Sequence, residues 1–192
     1  MLDSKYQRFY DEIVKKIKKE KIFTDKLHTL AYGTDASFYR LIPKIVIKTD
    51  NAKEVQDIIE LSNSLNLSIT FRAGGTSLSG QAISDSILVI TSRNFSNFKI
   101  APDASYISLQ PALTGAQVNG LLARYSKKIG PDPASINAAM IGGIAANNAS
   151  GMCCGISQNS YKTLKSIKLI FADGTKLDTG CQESKDAFRK TH

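Results

Sequence analysis

Two stretches almost without bulky side chains constrain this chain more than anything else in it. The first is Arg72-Ala73-Gly74-Gly75-Thr76-Ser77-Leu78-Ser79-Gly80. The second runs from Gly130 to Gly151 and contains Gly142-Gly143 and Asn147-Asn148. Each borders an apolar, strand-like segment, and each lets backbone N–H groups approach a ligand with no Cβ in the way. Several amides converging on one anion suit a phosphate or diphosphate. Two such stretches in one chain point to an extended ligand held at several places. The bland alternatives are a plain tight turn for the first and a close-packed Ala/Gly helix for the second.

The periodicity around these stretches predicts a fold. Residues 4–22 read as an amphipathic helix, with Tyr6, Phe9, Ile13, Val14 and Ile17 on one face and lysines on the other. A loop-rich segment follows from His28 to Pro43. Residues 43–47 read as a strand, 52–65 as a helix capped by Asp50 or Asn51, and 67–71 as a second strand that ends at the first glycine stretch. Strand, helix, strand implies parallel pairing, and ligands gather at the carboxyl ends of such strands. Ile87 to Thr91 reads as a third strand. Beyond it, 98–100, 106–109 and 165–171 alternate like half-buried strands, Asp173-Gly174 marks a hairpin, and a helix spans about 115–125. The class is therefore α+β: a small parallel βαβ lobe, then an antiparallel sheet lobe with flanking helices. A helix starting near Ile141 is expected to turn its first amides toward an anion.

Charge and cysteine content exclude little but shift the balance. The net charge is +8, with Lys15, Lys16, Lys18, Lys19 and Lys21 supplying much of the excess. Nucleic acid or an anionic surface would suit such a run, yet aromatics are not interleaved with it as in single-strand binders, and a solvated helix face is the plainer reading. No nucleic-acid partner is expected. No apolar run approaches the roughly 20 residues needed to cross a bilayer, and Met1-Leu2-Asp3-Ser4 lacks the apolar core of a signal peptide. Adjacent Cys153 and Cys154 with Cys181 make neither a disulfide framework nor a familiar metal spacing, so a cytoplasmic protein without a metal is expected, membrane-associated only through partners.

The first stretch is neither a Walker A loop nor a Gly-x-Gly-x-x-Gly fingerprint. Arg72 to Gln81, together with Pro131-Asp132-Pro133-Ala134-Ser135 and Ile141-Gly142-Gly143, resembles the FAD-linked oxidase family, which has the vanillyl-alcohol-oxidase (PCMH-type) FAD-binding fold. Within it, the D-lactate dehydrogenases and the FAD subunit of glycolate oxidase look most similar, and residues 147–155 resemble the subgroup in which a flavin domain is joined to an iron–sulfur domain. The resemblance covers roughly 30–180. It implies an FAD-binding PCMH-type domain over 37–182 that is incomplete at its C-terminal side; the residue pattern adds a helical segment over 1–36 before it and the start of a truncated helix over 183–192 after it.

The same resemblance distributes roles. Arg72, Ala73, Gly74, Gly75, Thr76, Ser77 and Leu78 would meet the FAD diphosphate, with Gly80 and Gln81 following. Pro131, Asp132, Pro133, Ala134, Ser135, Ala139, Ile141 and Gly142 would flank the flavin and its phosphates. Asn147, Ser150 and Gly151 would lie along the cofactor, and Tyr32 with Asp35 to Ser37 match an upstream segment of the family. The first loop holds Thr76 and Ser77 where relatives with covalent FAD carry histidine, so non-covalent FAD is implied. The family's later Gly-Ser-Glu-Gly-Thr-Leu-Gly-type motif does not occur, and the only histidines are His28 and His192. No catalytic acid or base is therefore expected in this chain. The implied activity is oxidation of a D-2-hydroxy acid such as D-lactate or glycolate, with hydride passing to flavin N5 and electrons onward to an iron–sulfur domain or subunit. The alternative is a dinucleotide-binding module without turnover.

Overall fold

The computed structural model describes residues 2–191; Met1 and His192, the last residue of the expected C-terminal helix, lie outside the described residues. Helix α1 (Ser4–Ile13) is shorter than its periodicity predicts. The apolar stripe does continue, and Ile17 is buried. The chain nevertheless has to turn to bring Ile22 beside Ile47, where the two-residue strand β1 (Ile22–Phe23) pairs antiparallel to the sheet. A short helix, α2 (Lys26–Ala31), follows in the segment expected to be loop; the Asp25 carboxylate caps it by accepting the His28 N–H at 3.0 Å.

Strand β2 (Ile45–Thr49) leads into α3 (Ala52–Leu65), where the sequence places it. Asn51 caps α3 by accepting the Glu54 N–H at 3.0 Å, and Asn66, in the left-handed region, ends it. Strands β3 (Ile69–Arg72) and β4 (Ile87–Thr91) complete the sheet in the order β1-β2-β4-β3, with β2, β4 and β3 parallel. The central strand β4 reads as an unbroken apolar run because both faces are covered. On one face Ile45, Ile47, Ile87 and Val89 pack with Phe9, Ile13, Ile17 and Ile58; on the other, Val46, Leu88 and Ile90 pack with Phe23 and Tyr32. Phe23 and Tyr32 are partly buried, and each fully buried side chain among the others stabilises the fold by about 1.5–3 kcal/mol. The basic run is partly committed here: Lys16 joins Lys53 on Asp57, and Lys21 bridges Asp50 at 2.7 Å and Glu54 at 2.6 Å.

The antiparallel lobe is two separate ribbons rather than one sheet. Strands β5 (Phe98–Ile100) and β6 (Ile107–Leu109) form the first. Three residues per strand bury too little to stand alone, and this ribbon survives by packing Ile100, Ile107 and Leu109 on Leu113, Val118 and Leu122 of the following segment and α4 (Gly115–Ala123). Helices α5 (Ile141–Ala146) and α6 (Ser160–Thr163) precede the second ribbon, β7 (Lys168–Ile170) with β8 (Lys176–Asp178). Its Asp173-Gly174 turn is as predicted, with Gly174 at φ +87°. Helix α7 (Gln182–Thr191) closes on it through Phe188, stacked on Phe171 at 5.0 Å.

Candidate functional site

The parallel strands end along one edge, and the first glycine stretch leaves β3 there at Arg72. Its glycines are needed. Gly75 sits at φ +66°, and a Cβ on it would lie 2.6 Å from the Arg72 guanidinium. Gly80, at φ +72°, lies so close under the Tyr39 ring that a Cβ would be 2.8 Å from it. The Arg72 side chain turns back from the loop: Nη1 donates to Thr34 O at 2.7 Å and Tyr32 O at 3.3 Å. Burial lowers its pKa, against the opposing charge of Asp35. Ser77 Oγ donates to Gln81 Oε1 at 2.6 Å and accepts the Ser79 N–H at 3.2 Å. Leu78 is exposed. Within the described residues, no hydrogen bond is made by the N–H groups of Gly74, Gly75, Thr76, Ser77 and Leu78. Consecutive unspent amides on a glycine turn form a concavity for an anion.

The second stretch lies directly against the first. A Cβ on Gly74 would collide with the Ala138 carbonyl, and one on Gly143 would touch Ala73 Cβ at 3.4 Å. Ala139, buried, passes beneath and its carbonyl accepts the Gly115 N–H at 3.0 Å. Within the second stretch, Gly151 packs so tightly on the Asp132 carbonyl that no side chain fits, which ties the Pro131–Pro133 segment to the end of the run; Pro131 is buried while Ala134 is exposed. Ser135 O accepts the Ala139 N–H at 2.7 Å. Asn147 and Ser150 stand exposed at the far end of α5, and Asn148 Oδ1 accepts the Tyr161 N–H at 3.0 Å.

One expectation is corrected. The first two amides of α5 do not face an open site: Ile141 N–H donates to Leu113 O at 2.8 Å, and Gly142 N–H to Pro111 O at 3.0 Å, whereas the third, the Gly143 N–H, makes no hydrogen bond among the described residues. Gly142 is a packing glycine, since a Cβ there would sit 2.7 Å from Pro111 Cβ. Sequence reasoning missed Pro111 and Leu113; the Thr114-x-x-Gln117 capping box, which starts α4 beside them, was the available signal. The upstream segment is also part of this architecture. Ala36 N–H donates to Gly75 O at 3.0 Å, and Asp35 Oδ2 accepts the Ala82 N–H at 3.3 Å.

Five amides without a hydrogen bond among the described residues thus sit on a turn pressed against a second side-chain-poor surface. Residues 43–180 match the family described as FAD binding domain. The chain belongs to that FAD-binding family. The D-2-hydroxyglutarate dehydrogenase of Escherichia coli (strain K12) is 27% identical over 154 residues, 78% of this chain and 15% of that protein. The glycolate oxidase subunit GlcD of the same organism is 29% identical over 161 residues, 80% of this chain and 32% of its own length. The D-lactate dehydrogenase of Archaeoglobus fulgidus is 25% identical over 148 residues, 74% of this chain and 32% of that protein. The chain thus spans 15% to 32% of the length of these relatives. Among solved structures, alkyldihydroxyacetonephosphate synthase superposes with a TM-score of 0.78 at 18% identity, covering 94% of this chain and 38% of the other. p-Cresol methylhydroxylase gives 0.77 at 13%, covering 96% and 38%. These likenesses show the α+β PCMH-type FAD-binding fold. Among the described residues, no helix is long and apolar enough to cross a membrane, and no three His, Cys, Asp or Glu side chains gather as a metal site.

Proposed function

We propose that this FAD-binding chain serves a flavin-dependent oxidoreductase that oxidises a D-2-hydroxy acid of the D-lactate, glycolate or D-2-hydroxyglutarate kind. The observation that carries this reading is the run of unspent amides from Gly74 to Leu78 lying against Ala138–Ala139. In it, the 72–78 loop binds the diphosphate through its backbone, with the Thr76 and Ser77 hydroxyls beside it. Gly80 and Gln81 hold the loop's far end. Pro131 to Ser135, Ala139, Ile141 and Gly142 form the wall of the cleft, and Asn147, Ser150 and Gly151 continue it. Ile141 and Gly142 contribute surface rather than amides. Bound FAD supplies the two-electron acceptor at its N5. The protein's part is to hold the cofactor without a covalent bond, to exclude water with small apolar side chains, and to orient it; no catalytic acid or base is assigned to these residues. Electrons pass on to an iron–sulfur domain or subunit, a reading favoured by the GlcD relative being named a subunit. A cytoplasmic location, with any membrane association through partners, goes with it.

The test is reconstitution. Residues 1–192, incubated with FAD and desalted, are expected to keep the visible flavin absorbance; a folded, colourless protein that takes up no FAD sinks the reading. Anaerobic addition of D-lactate, glycolate or D-2-hydroxyglutarate then separates an enzyme from a binding module. Bleaching of bound flavin supports substrate oxidation, and retained colour with all three favours a module that binds without turnover.

A further inference from the structure

We propose that Asp35 is a positioning residue for cofactor uptake, shaping the 72–82 loop from outside it; this rests on the FAD reading above. The loop is tethered at both ends and at its turn to one short segment, residues 32–37. At its start, Arg72 Nη1 donates to Thr34 O at 2.7 Å and to Tyr32 O at 3.3 Å. At its turn, Gly75 O accepts the Ala36 N–H at 3.0 Å. At its end, the buried Ala82 gives its N–H to Asp35 Oδ2 at 3.3 Å. The other oxygen, Oδ1, accepts the Ser37 N–H at 2.8 Å and so fixes the carboxylate's own direction.

Asp35 is therefore more than a local turn former. Its partner Ala82 is far away in sequence, and the carbonyl of the preceding residue, Thr34, takes the Arg72 guanidinium at 2.7 Å. Burial works against the ionised carboxyl, but the hydrogen bonds from Ser37 and Ala82 and the charge of Arg72 outweigh it, and its pKa is lowered. The carboxylate holds the loop's end down, while the carbonyls of Thr34 and Tyr32 hold the guanidinium folded back. Between these points the amides from Gly74 to Leu78 remain open, with none turned inward to a protein acceptor among the described residues. An ordered concavity binds an anion more tightly than a floppy one, because less freedom is lost on binding.

FAD titration, followed by quenching of flavin fluorescence, and amide hydrogen exchange of Ser79 to Ala82 test this together in the 192-residue chain. Asp35→Ala is expected to weaken FAD binding by about tenfold or more and to speed exchange at these amides by a similar factor, roughly tenfold. Asp35→Asn, which keeps an acceptor oxygen but loses the negative charge, is expected to fall between it and the wild type. Asp85→Ala, at an exposed carboxylate nearby, is expected to change neither. Wild-type FAD affinity and wild-type exchange in Asp35→Ala overturn the proposal. Should that variant fail to fold, Asp35→Asn decides, and unchanged affinity and exchange in it overturn the proposal equally. Failure of the wild-type chain to bind FAD fells the cofactor reading instead, while the exchange rates still show whether the brace exists.

Discussion

The two side-chain-poor stretches look alike in sequence, but Gly75 in the first and Gly142 in the second answer to different constraints. From Gly74 to Leu78 the amides are unspent among the described residues. At Ile141 and Gly142 they are consumed by Leu113 and Pro111. Gly75 is required by its own positive φ, whereas Gly142 is required by a neighbour that leaves no room for a Cβ. Glycine-richness thus has two physical origins here, a left-handed backbone at Gly75 and a close neighbour at Gly142.

Substitutions can break this contrast. The largest effect on cofactor is expected from Gly75→Val. A β-branched residue is strained at positive φ, costing about 1–2 kcal/mol or more, and it fills the amide concavity. FAD uptake is expected to be lost while the chain stays folded; undiminished uptake with comparable melting would put the anion site elsewhere. Gly142→Ala is expected to do the reverse. Forcing a methyl against Pro111 costs about 1–3 kcal/mol of stability, read as a lower urea midpoint, while the folded fraction binds FAD within about twofold of wild type, less than 0.5 kcal/mol. Equal losses of affinity in both variants would erase the distinction.

A smaller effect sharpens the same contrast at the scale of the lobes. In the parallel lobe the pKa values of Asp50 and Asp57 are lowered: burial opposes this, but hydrogen bonds from Lys21 and Ser92 to Asp50, and from Lys53 and Lys16 to Asp57, prevail. In the second lobe Asp103 and Asp178 are more exposed, and local hydrogen bonds from Ser105 and Gly180 lead the lowering. A carboxylate with a lowered folded pKa stabilises the fold above its unfolded pKa of about 3.9 and ceases to do so as pH falls through the folded value. Stability is therefore expected to hold between about pH 5 and 8 and to fall below about pH 4. Hydrogen exchange is expected to show α3 opening before α4. Asp57→Asn should flatten that fall, and an unchanged acid profile in it would assign the loss to other carboxylates.

Local signals explain what the sequence reveals. Asn51 marks the start of α3, the apolar run Ile87–Ile90 marks the buried strand, and Asp173-Gly174 marks the hairpin; each acts within a few residues. What stays hidden is decided at long range. Helix α1 stops at Ile13 because Ile22 must reach Ile47, and the brief α2 lacks a long apolar stripe. At the site, the glycine stretches and their meeting place are legible from composition and strand order. The fate of the Ile141 and Gly142 amides is not, because their acceptors at Pro111 and Leu113 come from a distant segment. The contact of Gly74 with the Ala138 carbonyl is hidden for the same reason.

Strand β4 lies between β2 and β3, although it comes after both in the chain. A polypeptide emerging from the ribosome therefore gains no sheet when its second parallel strand appears, since those two strands never touch as neighbours. They wait, with the glycine turn already synthesised, for residues 87–91 to slot between them. Until that insertion β2 has only the two-residue ladder of β1, and β3 has no partner strand at all.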